Sequence, residues 1–115
     1  MRFIIQLIDS GQISGFSSVV TLTEVLTRPK KLGNKLIEKE YLDLLLHSRN
    51  FTIQNITVAI AEIAAEIRAH YNIRTPEAFQ IASAIESDCQ AFLTNDRYLQ
   101  QVNEITVLTL DNLEL

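Results

Sequence analysis

Short apolar runs of strand length alternate along this chain with longer segments that have helical character. Such alternation is typical of βαβ crossovers, which place parallel strands in a sheet with helices on both faces. The sequence therefore predicts an α/β fold with a mostly parallel sheet flanked by helices. The strand candidates are residues 13–17 (ISGFS), 51–56 (FTIQNI), 91–94 (AFLT) and 105–110 (ITVLTL).

Helix boundaries follow from capping residues and helix breakers. The first helix is expected to end at Gly11, because glycine is favoured just beyond a helix C-terminus. Ser17 or Ser18 can cap a second helix through VVTLTEVLTR, and Pro29 is expected to stop it. Further helices are predicted over about 35–48, from Thr57, and over about 97–102.

The segment RTPEAFQIASAIESD carries the strongest helix signal in the chain. Thr75 is predicted as its N-cap and Pro76 as its first helical residue, with Glu77 in the first turn. Glu77 is therefore predicted two places after an N-cap.

Composition restricts the class of protein. The chain has 115 residues, of which 47% are hydrophobic, with three glycines and two prolines, which fits one compact domain over residues 1–115. Its single cysteine, Cys89, excludes an internal disulfide, and no apolar run approaches the roughly 20 residues that cross a bilayer. We therefore expect a cytoplasmic protein with no membrane span. The net charge of −4 argues against a passive nucleic-acid coat, although an enzyme that reaches phosphate through divalent cations remains possible.

Three acidic residues are candidates for such a cation site, although each has an ordinary structural explanation. Glu24 lies at the margin of an apolar helix face, where its carboxylate can stay in water. Glu77 is favoured in a first helical turn by the helix dipole. Asp96 follows a strand and precedes a short helix, so it can be an N-cap.

Their joint arrangement is more informative. In α/β folds ligands gather at the carboxyl ends of strands, beside helix N-termini, and Glu77 and Asp96 are both predicted at such places. Hard cations such as Mg²⁺ or Mn²⁺ prefer oxygen ligands, whereas His47, His70 and the single cysteine give no zinc-binding spacing. A serine-nucleophile elbow of the G-x-S-x-G type is also absent from the sequence.

The segments SSVVTLTEVLTRP, RTPEAFQIASAI and AFLTNDRYL resemble, in order and spacing, three conserved blocks of PIN domains, especially those of VapC-like toxin ribonucleases. The resemblance extends over about residues 4–113. It implies a PIN-like three-layer fold and a hydrolase that cleaves RNA with Mg²⁺ or Mn²⁺. It also implies a cognate antitoxin as partner, in a type II toxin–antitoxin pair, and a homodimer.

The resemblance assigns metal ligation and catalysis to Glu24, Glu77 and Asp96. Glu77 stands where the family more often has aspartate, and the extra methylene moves the carboxylate outward. Tyr98 stands where many relatives carry a further acid.

The first acid of the family pattern has no counterpart here. In relatives it ends an N-terminal strand in the middle of the sheet, and no such stretch precedes Met1. The resemblance therefore implies an N-terminally incomplete domain that supplies three of four acidic positions. A start codon assigned too far downstream, a fragment and a natural pseudo-toxin are three explanations.

Two functions follow as alternatives. The first is a metal-dependent ribonuclease toxin, from which we expect little or no activity in this form, because Mg²⁺ tolerates a missing ligand poorly. The second is a non-catalytic PIN-like module that binds the antitoxin or a second copy of itself through its apolar early helices.

Overall fold

The computed structural model describes residues 2–110. The chain divides into two compact units, Met1–Asn55 (unit 1) and Ile56–Leu115 (unit 2). No helix in the described range is long and apolar enough to cross a membrane.

Unit 1 contains three helices and one pair of strands. The two strands are parallel, and their register places Gly15 opposite Phe51 and Ser18 opposite Gln54. Ser18 also caps the helix that follows it, because its hydroxyl accepts a hydrogen bond from the backbone N–H of Val20 at 3.2 Å. The elements are α1 (Arg2–Asp9), β1 (Gly15–Ser18), α2 (Val19–Lys31), α3 (Lys35–His47) and β2 (Phe51–Gln54).

Unit 2 contains a helix pair, a second pair of parallel strands and a short 3₁₀ helix. Thr57 caps the first helix of the unit by accepting a hydrogen bond from the backbone N–H of Ile60 at 3.2 Å. The strand register places Ala91 opposite Thr106 and Thr94 opposite Thr109. The elements are α4 (Val58–His70), α5 (Thr75–Glu86), β3 (Ala91–Thr94), the 3₁₀ helix (Arg97–Gln101) and β4 (Thr106–Thr109).

The predicted α/β class is confirmed, and every predicted helix is present. Within the described residues the four strands form two separate parallel pairs, β1 with β2 and β3 with β4. Each strand has only four residues and one paired neighbour, so helices must supply most of the stability.

Two predicted helix boundaries are wrong. Helix α2 continues through Pro29 to Lys31 instead of stopping before the proline. Proline removes the N–H that would donate to the carbonyl oxygen of Val25, four residues earlier, so the helix loses one hydrogen bond here without ending. Pro29 is also buried, so its ring contributes packing. The N-cap of α5 is Arg74, which places the predicted cap Thr75 inside the helix.

The described apolar core belongs to unit 2. Among residues 3–55, whose burial the structure describes, the buried ones are Ser18 and Pro29. By contrast, most of the large apolar side chains that are exposed belong to unit 1, on α1, α3 and the segments around β1. The buried apolar residues of unit 2 are Ile60, Ala64, Ile67, Ile73, Ala78, Ile81, Ala82, Leu99, Val102 and Ile105.

A close approach in unit 1 requires glycine at the start of β1. A Cβ atom at Gly15 would lie 2.7 Å from the ring of Phe51 and 3.0 Å from Cδ1 of Ile8. Both distances are shorter than normal carbon contacts. Gly15 therefore lets the side chains of Ile8 and Phe51 close over the strand pair.

Candidate functional site

Asp96 lies two residues after β3 and caps the 3₁₀ helix. Its Oδ1 accepts a hydrogen bond from the backbone N–H of Tyr98 at 2.9 Å. Its own backbone N–H donates to the hydroxyl of Thr94 at 3.1 Å, which holds the turn between strand and helix. The carboxylate is exposed at the carboxyl end of a parallel strand. Asp96 is thus a cap by geometry, at a position that also suits a cation ligand.

Glu77 lies in the first turn of α5 and is largely covered, since 23% of its side chain is exposed. Its Oε1 forms an ion pair with the guanidinium group of Arg74, three residues earlier. Its Oε2 is buried and accepts no hydrogen bond from the described residues. A buried carboxylate oxygen without a donor is costly, so this atom favours a cation beside it.

Glu24 lies in the second turn of α2, in unit 1, and its side chain is exposed. One turn earlier, the hydroxyl groups of Ser17 and Thr21 are 2.5 Å apart, which links the end of β1 to the first turn of α2. Glu24 is thus positioned by a helix that begins directly at the carboxyl end of a parallel strand.

The three predicted ligands are distributed over both units. Glu77 and Asp96 belong to unit 2, and Glu24 belongs to unit 1. Within residues 2–110, no group of three or more histidine, cysteine, aspartate or glutamate side chains is close enough to hold a metal ion. Joint ligation by these three residues therefore stays a prediction.

The chemistry of the individual donors fits a divalent cation. All three are carboxylates, which Mg²⁺ and Mn²⁺ prefer over nitrogen and sulfur ligands. The unpaired Oε2 of Glu77 is compatible with a cation beside it, although Oε1 of Glu38 is likewise buried without a donor among the described residues, so this feature alone does not identify a metal ligand. The ion pair with Arg74 argues against a cation at Glu77, since the guanidinium group already neutralises the other carboxylate oxygen.

Sequence reasoning missed the pairing of Arg74 with Glu77. Their separation of three residues on one helix was the available signal, since side chains at i and i+3 are neighbours. Tyr98, at the position where relatives carry a further acid, is 51% exposed and directly follows the first residue of the 3₁₀ helix.

A shallow cleft of about 530 Å³ lies at the opposite end of the strand pair in unit 2, and none of the three acids lines it. It is bounded by residues 89–90 and 102–107. Burial, together with the nearby charge of Asp88, raises the pKa of the Cys89 thiol in this cleft. A thiol with a raised pKa is a poor nucleophile, so the cleft has no reactive group of that kind.

Comparisons with known proteins give a consistent result. The family model of the PIN domain matches residues 2–105. A chain of a toxin–antitoxin complex from Klebsiella pneumoniae is similar at 25% sequence identity and a TM-score of 0.63, covering 80% of this chain and 70% of that one.

A second similar structure is VapBC2 from Rickettsia felis, bound to a DNA fragment from its promoter. The identity is 16% and the TM-score 0.68, with 84% of this chain and 74% of that chain covered, so the likeness is one of fold. No curated protein sequence matches the chain.

Proposed function

Since the chain belongs to the PIN domain family and has the fold of its VapC-like members, we propose that it derives from the ribonuclease toxin of a type II toxin–antitoxin pair. The match of the PIN family model over residues 2–105 carries this proposal. In this function Glu24, Glu77 and Asp96 hold Mg²⁺ or Mn²⁺, and RNA is the substrate. The protein acts in the cytoplasm, and residues 1–115 belong to one PIN-like domain.

The chain's own residues have distinct roles in this proposal. Glu77 offers its unpaired Oε2 to the cation, while Arg74 restrains the other oxygen. Asp96 is held in place by its hydrogen bond to the backbone N–H of Tyr98. A bound divalent ion supplies a polarised water and neutralises phosphate charge for hydrolysis. Residues 1–115 supply three carboxylates for this site, so the expected activity of these residues alone is weak or absent, because Mg²⁺ tolerates a missing ligand poorly.

A nuclease assay tests the site. The full chain is incubated with a fluorescent structured RNA in Mg²⁺, Mn²⁺ or EDTA, alongside the variants Glu24→Gln, Glu77→Gln and Asp96→Asn. Glu62→Gln is the matched control, because Glu62 is an exposed glutamate on α4 outside the proposed site. Robust cleavage that survives Glu24→Gln and Asp96→Asn would contradict the assignment.

Metal binding gives a readout that does not depend on cleavage. A ligand that binds only the folded state raises the unfolding midpoint. We expect Mn²⁺ to raise the midpoint of the wild type and of Glu62→Gln, and to raise it less in Glu77→Gln. Equal shifts in all these proteins would remove Glu77 from the site.

A non-catalytic binding module is the second candidate, and the exposed apolar surface of unit 1 favours it. Phe3, Leu36 and Leu44 are each more than 60% exposed. In this function the apolar early helices bind the cognate antitoxin or a second copy of the chain. The two structural neighbours support an antitoxin partner, since one is described as a toxin–antitoxin complex and the other as VapBC2. Sedimentation over a range of concentrations, with Leu36→Ser and Leu44→Ser, tests self-association. A monomer at all concentrations argues against the homodimer.

A further inference from the structure

The cationic side chains of this acidic chain are concentrated in one short segment. Five of its ten lysine and arginine residues, including every lysine, lie within residues 28–39, and the only acid in that segment is Glu38. Five cations and one carboxylate give the segment a formal charge of +4, although the whole chain carries −4. We call residues 28–39 the basic hairpin, since they join the end of α2 to the start of α3.

Hydrogen bonds and an ion pair hold the basic hairpin in a defined conformation. The ammonium group of Lys30 donates to Oε2 of Glu38 at 2.8 Å, which ties α3 to α2. The backbone N–H of Asn34 donates to the carbonyl oxygen of Pro29 at 2.9 Å, and the side chain of Asn34 caps α3. The turn passes through Gly33, which has a φ of +67°. These contacts fix the directions in which the two helices present their cations.

Four cations of the hairpin are available to a partner. Arg28, Lys31, Lys35 and Lys39 are all exposed. Within residues 2–110 the only ion pair of the hairpin is the one between Lys30 and Glu38, and the Lys30 ammonium holds the pKa of the Glu38 carboxyl below its ordinary value. Lys35 also interacts electrostatically with Glu38 but forms no ion pair with it, so four exposed cations can replace counterions on a polyanion.

The positions of two cations on α2 relate them to the candidate site. Arg28 and Lys31 follow Glu24 by four and seven residues, so the three side chains share one face of the helix. At a rise of 1.5 Å per residue, they lie about 6 and 10.5 Å beyond Glu24 along the helix axis.

We propose that the basic hairpin binds the phosphates of the RNA strand next to the bond that is cleaved, with Arg28 and Lys31 as the nearest positioning residues and Lys35 and Lys39 extending the contact. This inference rests on the proposed function. An acidic chain needs a local positive surface to hold RNA. The alignment of Arg28 and Lys31 with Glu24 favours RNA over an acidic apolar peptide, which would instead use the exposed Leu32 and Leu36 of the hairpin.

Fluorescence anisotropy with a labelled, unstructured 20-nucleotide oligouridylate tests the proposal. The full chain is titrated in EDTA at several KCl concentrations, so that neither metal binding nor cleavage contributes. Four phosphate contacts on a single strand predict a slope of log K against log salt of about −2.8. If the protein shows this salt dependence of binding but cleaves no RNA, the proposed nuclease site is wrong and the RNA-binding proposal stands.

Matched variants separate the hairpin from overall charge. Lys31→Gln and Arg49→Gln each remove one exposed cation, and Arg49 lies outside the hairpin, with 78% of its side chain exposed. We expect Lys31→Gln to weaken binding and to reduce the slope by about 0.7, whereas Arg49→Gln leaves both unchanged. The quadruple variant Arg28→Gln/Lys31→Gln/Lys35→Gln/Lys39→Gln should abolish binding while keeping its circular dichroism spectrum, because the Lys30–Glu38 pair is untouched.

Three outcomes would overturn the proposal. The wild type could fail to bind the RNA, or Arg49→Gln could weaken binding as much as Lys31→Gln. In the third, a synthetic amphipathic helical peptide with glutamate and leucine faces binds more tightly than the RNA, and Leu32→Ser/Leu36→Ser removes that binding. This result would assign the hairpin to a protein partner.

Discussion

The hydroxyl group of Tyr71 donates a hydrogen bond to Oε1 of Glu104 at 2.7 Å and accepts one from the backbone N–H of Asn103 at 3.2 Å. These two bonds connect the C-terminal cap of α4 to the loop that leads into β4. Residues 32 and 33 positions apart are thereby joined by one hydroxyl group. The contact therefore restrains a loop that has no secondary structure of its own.

Removing this hydroxyl should lower the stability of unit 2. We expect Tyr71→Phe to reduce the unfolding midpoint, because the variant keeps the ring but leaves Glu104 and the Asn103 N–H without their partner. Glu104→Gln is the comparison variant, since it retains an acceptor for the hydroxyl and should cost less. Thermal unfolding followed by circular dichroism measures both. A larger loss in Glu104→Gln than in Tyr71→Phe would show that the charge of Glu104 matters more than the hydrogen bond.

The same contact predicts a pH dependence. The hydrogen bond from Tyr71 holds the pKa of the Glu104 carboxyl below its ordinary value. A carboxyl with a lowered pKa stabilises the folded state above its unfolded pKa, about 4.3, and the stabilisation is lost as pH falls through the folded pKa. The difference in midpoint between wild type and Tyr71→Phe should thus be largest near pH 7 and shrink below about pH 4. A constant difference between pH 7 and pH 3 would contradict this origin.

The core of unit 2 should respond strongly to cavity formation. Ile81 is fully buried on α5. Ile81→Ala should lower the free energy of unfolding by about 2–5 kcal/mol, and Ile81→Val by about 0.5–1.5 kcal/mol. Val58, which is 79% exposed on α4, provides the control, and Val58→Ala should change stability by less than about 0.5 kcal/mol. Urea denaturation measures all three, and similar effects at both positions would contradict the assigned burial.

Substitution of either Gly15 or Gly33 by alanine should lower the free energy of unfolding, for different reasons. Gly15→Ala should cost about 1–3 kcal/mol by overpacking against Phe51 and Ile8. Gly33 has open space around a Cβ position but a positive φ, so Gly33→Ala should cost about 1–2 kcal/mol of backbone strain. Phe51→Leu should then partly rescue Gly15→Ala and leave Gly33→Ala unimproved. Denaturant midpoints of the single and double variants check this, and rescue of both would point to a general effect.

The two roles of Asp96 can be separated by the choice of substitution. Asparagine retains an acceptor for the backbone N–H of Tyr98, so Asp96→Asn should keep most of the stability, whereas Asp96→Ala should lose about 1 kcal/mol. If Asp96 is also a metal ligand, both variants should lose Mn²⁺ stabilisation. Thermal melts with Mn²⁺ or EDTA measure the two effects, and full Mn²⁺ stabilisation in Asp96→Asn would leave Asp96 as a cap alone.

Local patterns predicted the elements of this fold well, because caps and breakers act within one turn. Ser18, one of two serines predicted as a cap, and Asp96 cap their helices as expected, and Thr57 caps the helix that was predicted to start there. Pro29 shows the limit of such rules, since it lies inside a helix that continues to Lys31 and its ring is buried, a packing contribution that no local rule includes.

Longer-range features were less accessible from sequence. The separation of the strands into two pairs depends on which four-residue strands meet, and short strands carry little information about pairing. The environment of Glu77 also depended on a neighbour, Arg74, whose side chain could have pointed elsewhere. Metal binding by three acids from two units depends on the distances between those acids, and local sequence patterns do not specify these distances.

Most of the described buried apolar side chains lie in α4, α5 and the following segment. This distribution affects which parts of the protein unfold locally in solution. Amide hydrogens exchange with solvent at rates set by the free energy of the opening that exposes them, and that free energy is highest where apolar burial is greatest. The slowest exchange is therefore expected around Ile67 and Ile81. Helices α1 and α3, which have few buried side chains, should exchange first, and binding of a partner to their apolar surface would be visible as protection there.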